Sequence, residues 1–148
     1  MPYRHLLVPS DGSERSLRAV HEAVQLASAL GARITVLTVE QQPRMPVPGL
    51  GERLDAATLD ALARAARQNG EKVVSEALAI AAGAGVPAEA ERISGEQPHR
   101  AILAAAERLD CDLIVMASHG RGGFQRMLLG SETQRVLMQA GVPVLVIR

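Results

Sequence analysis

The feature that most constrains this sequence of 148 residues is a strict alternation. Short apolar or β-branched runs take turns with longer segments at helical spacing along the chain. His5-Leu6-Leu7-Val8-Pro9 is closed by the turn cluster Ser10-Asp11-Gly12 and reads as a buried strand. Over 13–30, Leu17, Val20, Val24 and Leu26 recur near helical spacing, with Ser13 placed as an N-cap and Gly31 just past the end. Ile34-Thr35-Val36-Leu37-Thr38-Val39 is a second strand. Pro43, Pro46 and Pro48 exclude regular helix or central strand over 41–51, which reads as a lid-like loop. The proline-free, Ala- and Leu-rich stretch 55–82 is a long helix with Gly70 as a weak point. A third strand spans 86–93, and Pro98 opens a helix that continues through 101–109. Asp112-Leu113-Ile114-Val115-Met116 is apolar without alternation, as a strand covered on both faces should be. A glycine-bearing loop over 117–130, a helix over 131–140 and a strand over 142–147 complete the chain.

The order β-α-β-α-β-α-β-α-β predicts an α/β fold: one domain over 1–148, an open five-stranded parallel sheet with helices on both faces. Such sheets bind ligands at the carboxyl ends of their strands, at the topological switch point, which nominates 9–12, Val39 and 116–123. Composition narrows the ligand. Sixteen basic and sixteen acidic residues leave a formal net charge of +0, which excludes bulk attraction to nucleic acid or anionic lipid. One Phe, one Tyr and no Trp leave almost no stacking platform for single-stranded nucleic acid. The only lysine, Lys72, stands in Gly-Glu-Lys-Val, so no Walker A loop exists and phosphate contacts fall to backbone N–H groups or arginine. The single Cys111 excludes an intrachain disulfide and suits a reducing, cytoplasmic setting. No apolar run is long enough to span a membrane, and the start of the chain lacks a signal-peptide layout. A receiver-type domain would need an acidic cluster, an aspartate after the third strand and a late lysine; only Asp11 is suitably placed. A redox dinucleotide enzyme would need Gly-x-Gly-x-x-Gly after the first strand, which is missing.

The segment that carries chemistry runs from Met116-Ala117-Ser118-His119-Gly120-Arg121 through Gly122-Gly123-Phe124-Gln125-Arg126 to Gly130-Ser131. It starts after a buried strand and ends at a helix N-terminus. Glycine lets a backbone approach a ligand closely, and the free N–H groups of a helix start favour anions. A phosphate site follows. The residues here resemble the universal stress protein family, whose nucleotide-binding members carry Gly, two residues, Gly, nine residues, then Gly-Ser or Gly-Thr after the fourth strand. Gly120, nine residues and Gly130-Ser131 match, while Ala117 replaces the first glycine. Val8-Pro9-Ser10-Asp11-Gly12-Ser13 and Val142-Pro143-Val144-Leu145-Val146 also look family-typical.

The resemblance implies a Rossmann-like, adenine nucleotide alpha hydrolase-like fold and a stress-response regulatory protein that binds ATP with Mg²⁺. It implies Pro9, Ser10 and Asp11 near ribose, phosphate or metal, and Val39 against the adenine. It implies Met116, Ala117, Ser118, His119, Gly120, Arg121, Gly130, Ser131, Glu132 and Thr133 around the nucleotide. The Mg²⁺ would be held mainly by phosphate oxygens, near Asp11. Nucleotide occupancy would then bias the glycine loop and the loop bearing Pro43 and Pro48. Family members of this kind pair their last strands about a two-fold axis, so 142–147 (Val142 to Ile147) is expected to form a homodimer, relieving an apolar edge; the alternative is an edge covered by the neighbouring helix.

Several residues also have plain structural readings. Ser131 and Gln134 fit a capping box, and Glu132 suits a first helical turn whether or not phosphate is near. Asp11 fits an Asx-turn or N-cap. Ala117 costs about 1 kcal/mol if its φ must be positive and little if only a small side chain is required. His119 lacks a triad partner in sequence and reads as a loop-orienting or ligand-packing residue rather than a base. His5, His21 and His99 show no metal-ligand spacing and read as surface or satisfied histidines. Arg121 and Arg126 fit solvated loop positions, and Cys111 fits an apolar filler. Two other functions stay open: a nucleotide-free dimeric interaction module, and a slow ATPase, for which no base is evident.

Overall fold

The computed structural model describes residues 3–41, 55–95, 97–119 and 129–148. Residues 42–51 of the proline-bearing loop, and Gly120, Arg121 and Arg126, lie outside the described residues. The elements are β1 His5–Pro9, α1 Glu14–Leu30, β2 Arg33–Glu40, α2 Ala56–Gly83, β3 Ala88–Ser94, α3 Pro98–Arg108, β4 Leu113–Ala117, α4 Ser131–Gln139 and β5 Val144–Ile147. The five strands form one parallel sheet in the order β3-β2-β1-β4-β5. The chain order reverses direction between β1 and β4, which puts the switch point at their carboxyl ends.

Strand alternation divides the core into two layers. Leu6 and Val8 of β1 and Leu113 and Val115 of β4 face Val20, Ala23, Ala27 and Ala77 of α1 and α2. Leu7, Ile114 and Met116 face Ile102, Ala105 and Val136 of α3 and α4 on the opposite side. Because both faces are covered, the central strands are apolar throughout. The buried stripe of α1 is built from Ala19, Val20, Ala23, Val24 and Ala27 rather than from Leu17 and Leu26. Small side chains there bring the helix axis close to the sheet.

Local signals explain most boundaries. Ser13 Oγ accepts from Ser16 N at 3.2 Å, and Gly31 closes α1 in the left-handed region at φ 66°. Asp55 caps α2 through Thr58 N at 2.7 Å. Asp112 accepts from Arg4 N and His5 N, at 2.9 and 3.1 Å, and ties the start of β1 to that of β4. α2 runs unbroken through Gly70, and the position has a packing reason. It is buried where the helix crosses the end of β2, and a Cβ there would collide with the Glu40 carboxylate, which binds Arg92 Nε at 2.6 Å. β3 begins at Ala88, later than expected, and β5 begins at Val144, directly after Pro143, which has no N–H to donate.

His5 is buried and only half satisfied: Nε2 lies 2.8 Å from Thr35 Oγ1, while Nδ1 has no hydrogen-bond partner among the described residues. His21 is exposed. Cys111 is buried in the α3–α4 layer, and burial pushes its thiol up to about 11, which suits the filler role. Among the described residues, no helix is long and apolar enough to cross a membrane.

Gly31→Ala should destabilise the protein by about 1 kcal/mol, since no atom lies within 4 Å of the new Cβ and only the backbone conformation opposes it. Gly141→Ala, equally open but without a positive φ, should be near neutral. Urea denaturation of the two variants checks the pair.

Candidate functional site

The carboxyl ends of β1, β2 and β4 meet the N-terminus of α4 around a cavity of about 680 Å³. Its volume is in the range of small-molecule sites. β1 and the turn after it contribute Pro9, Ser10 and Asp11, and β2 contributes Val39. Met116 and Ala117 come from the end of β4, followed by His119. Gly130, Ser131, Glu132 and Thr133 complete that end. Ser118 is not on the wall. It is buried behind it, with Oγ at 3.1 Å from His119 Nδ1 and its carbonyl accepting from Gly130 N at 2.6 Å. Gly120 and Arg121 fall outside the described residues.

Sequence reasoning missed the remaining wall. Ser16 of α1, Glu40 at the end of β2 and Gln41 after it, Pro98 and Ile102 of α3, and one stripe of α2 (Ala66, Asn69, Gly70) also line the cavity. The spacing of the α2 residues places them on one helix face. That this face passes over the end of β2 is decided by tertiary packing.

The first turn is rigid. Asp11 Oδ1 accepts from Ser13 N at 2.9 Å, an Asx-turn that leaves the residue on the cavity wall. Ser10 Oγ lies 3.1 Å from Ser16 Oγ, and Ser10 N donates to Leu37 O at 2.9 Å. On the opposite side, Thr133 Oγ1 donates to Ala117 O at 3.0 Å and anchors α4 to β4. Ala117 lies in the strand, and Asp110 is the only non-glycine residue with positive φ among the described residues. The substitution of alanine therefore carries no backbone strain.

The capping box does not form. Gly130 is the N-cap of α4, Ser131 is an exposed first-turn residue, and Gln134 Nε2 donates to Leu129 O at 3.1 Å. Among the described residues no side chain caps this helix start, and its first turn lines the cavity, so the positive end of the helix lies at the cavity. Glycine at 130 serves close approach. A Cβ there would stand 3.3 Å from Ser118 O and 3.4 Å from His119 Cα.

Glu132 turns away from its own helix. Oε2 accepts from His99 N at 2.7 Å and His99 Nδ1 at 2.8 Å, and Oε1 accepts from Arg135 Nη1 at 2.6 Å. It thus caps α3, whose N-cap Gln97 makes no side-chain hydrogen bond. Partial burial pushes the Glu132 carboxyl up, but the donors of His99 and Arg135 outweigh it and hold the group below the usual carboxylate range. His99, expected to be a surface or satisfied histidine, is buried and satisfied through this clasp.

His119 is buried, its Nδ1 meets Ser118, and its Nε2 has no hydrogen-bond partner among the described residues. No cluster of His, Cys, Asp and Glu able to hold a metal occurs among them either. The cavity thus joins an apolar wall (Val39, Ile102, Met116) to an end rich in donors. That arrangement suits a ligand with a flat apolar body and an anionic tail.

Glu132→Gln should cost about 1 kcal/mol at neutral pH, a charged hydrogen bond discounted for its partial exposure. The depressed carboxyl contributes in full above its unfolded pKa, and the contribution is lost as pH falls through the lower folded value. The gap between wild type and variant should therefore narrow as pH falls below the unfolded carboxyl value of about 4.3 and close below the lower folded one, as denaturation across pH will record.

Comparison with known proteins gives the family. The model of the universal stress protein family matches residues 2–148. A universal stress protein of Thermus aquaticus is 37% identical over 147 residues, covering 99% of both chains. The crystal structure of universal stress protein UspA from Lactobacillus plantarum superposes with a TM-score of 0.86 at 27% identity, covering 100% of this chain and 99% of that one. A universal stress protein solved in complex with cAMP superposes at 0.68 with 28% identity, covering 100% and 98%. The family pattern around Gly130-Ser131, the five-stranded sheet and these matches over nearly the full length agree, and the chain belongs to the universal stress protein family.

Proposed function

We propose that the chain binds an adenine nucleotide, ATP with Mg²⁺, in this cavity and acts by that occupancy as a stress-response regulatory protein. The observation that carries the reading is the uncapped N-terminus of α4 facing a cavity at the switch point of the sheet. The relative solved with cAMP supports an adenine nucleotide as the ligand class. Val39, Ile102 and Met116 offer the apolar wall for the base, and Pro9, Ser10 and Asp11 stand where the ribose would lie. The N–H groups of Ser131, Glu132 and Thr133 offer donors to phosphate. Ala117 shapes the floor, Ser118 stands behind it, and Gly120 and Arg121 belong to the same motif. In this reading the Mg²⁺ is held mainly by phosphate oxygens, with the Asp11 carboxylate on the same cavity wall as the hard oxygen ligand nearby. When bound, it neutralises phosphate charge. Glu132 is compatible with phosphate because its carboxylate is drawn off to His99 and Arg135. Binding would draw β1, β4 and α4 together, which gives occupancy a structural readout without turnover.

The whole chain, 1–148, acts in this reading as one domain in the cytoplasm. It forms a homodimer through β5. That strand is an edge of the sheet and leaves Leu145 40% exposed. Pairing with a second copy relieves the unpaired edge.

Calorimetric titration of nucleotide-stripped protein tests the site. MgATP should bind at micromolar affinity or tighter and ahead of MgGTP, and Gly130→Val should abolish the heat by crowding Ser118 and His119. No heat at millimolar ligand from folded protein would replace this reading with the nucleotide-free interaction module. Sedimentation tests the assembly separately. Wild type should run as a dimer and Leu145→Glu as a monomer; a monomeric wild type refutes pairing through β5.

A further inference from the structure

We propose that His119 is the side chain that holds the anionic group of the ligand, donating from Nε2 to a phosphate oxygen lodged at the N-terminus of α4. The assignment rests on the nucleotide reading above and adds to it a specific donor and a preference for phosphate-bearing ligands over the bare nucleoside.

The ring is 6% exposed and lines the cavity, yet Nε2 has no partner among the described residues. A buried polar atom left unpaired costs about 1–3 kcal/mol. Of the two such atoms among the described residues, His5 Nδ1 and His119 Nε2, only the second belongs to a residue of the cavity wall, where a ligand can supply the partner. The ring is also held in place. Nδ1 is 3.1 Å from Ser118 Oγ, and Ser118 is pinned by its own backbone, which donates to Ile147 O at 2.8 Å and accepts from Gly130 N at 2.6 Å. Cδ2, the ring carbon bonded to Nε2, lies 3.8 Å from the Cβ position at Gly130. Nε2 therefore sits on the side of the ring that meets the start of α4.

The surroundings define the missing partner. A Ser118 hydroxyl that donates to Nδ1 leaves the ring proton on Nε2, and a protonated ring also donates there. The neighbouring N–H groups of α4 are donors without a side-chain cap. The one acid of that helical turn, Glu132, is engaged by His99 and Arg135. Among the described residues, donors converge at this end of the cavity, and a phosphate, with several acceptor oxygens, meets both the ring and the helix start.

Affinities of AMP and adenosine for wild type, His119→Leu and His119→Gln test this. Loss of a hydrogen bond to a charged group should weaken AMP by roughly 10- to 100-fold in the leucine variant while leaving adenosine unchanged. Glutamine, which can place a donor near the Nε2 position, should recover most of the loss. Nitrogen-15 spectra of the wild-type ring give a readout independent of folding in the variants: the Nε2–H resonance should move with AMP and stay with adenosine. Equal AMP affinity in wild type and the leucine variant overturns the assignment. So does an equal loss for AMP and adenosine, which would mark a packing role. If wild type binds neither AMP, MgATP nor adenosine, the nucleotide reading fails by itself. An Nε2 response to inorganic phosphate would then keep His119 as an anion donor, and no response would remove that too.

Discussion

The structure depends on β1 being paired along both edges. It hydrogen-bonds to β2 on one side and β4 on the other, and both of its faces are covered by helices. A strand so enclosed has no water to satisfy its backbone, so both ladders must form. Right-handed crossovers then carry the chain outward in opposite directions from this strand, and the carboxyl ends of β1 and β4 diverge. The cavity is the space left between those ends. Its position follows from backbone hydrogen bonding and handedness, before any side chain is chosen for a ligand.

Around that opening, the chain spends its side-chain polarity on holding the walls. The Asx-turn at Asp11, the Ser10–Ser16 contact and the Thr133–Ala117 bond each join a wall residue to a neighbouring element. The Glu132–His99 clasp joins α4 to α3 and keeps a carboxylate from lying across its own helix start. Among the described residues at the cavity, what stays unspent is the first N–H groups of α4 and the Nε2 of His119; the other unpaired buried nitrogen, His5 Nδ1, lies at the far end of β1. In the proposed reading these donors receive an anion with no lysine needed.

Much of this was legible in the chain. Alternation of apolar runs and helical segments gave every element, because covered strands and amphipathic helices have different periods. Ser13, Gly31 and Pro98 marked boundaries through capping and φ preferences that act over a few residues. The cavity-lining residues on the strand ends were also legible, since the switch-point rule and the glycine motif name short contiguous stretches. Three features were not. Gly70 looked like a helix defect until β2 placed Glu40 beside it. Ser131 matched a capping box, yet Gly130 took the cap position and left Ser131 in the first turn. His99 and Glu132 are far apart in the chain, and nothing in their local context announces that they meet.

The sequence by itself determined the elements, their order, the class of sheet and the stretch that carries the glycine motif, because these follow from local periodicity, turn chemistry and spacing. Only the tertiary structure decided which side of α2 closes the cavity, that Ala117 lies unstrained in a strand, that Glu132 serves α3, and that His119 keeps one nitrogen unpaired. The reason is physical. Periodicity says which face of an element is buried, while hydrogen-bond partners distant in sequence are chosen by how the packed elements cross.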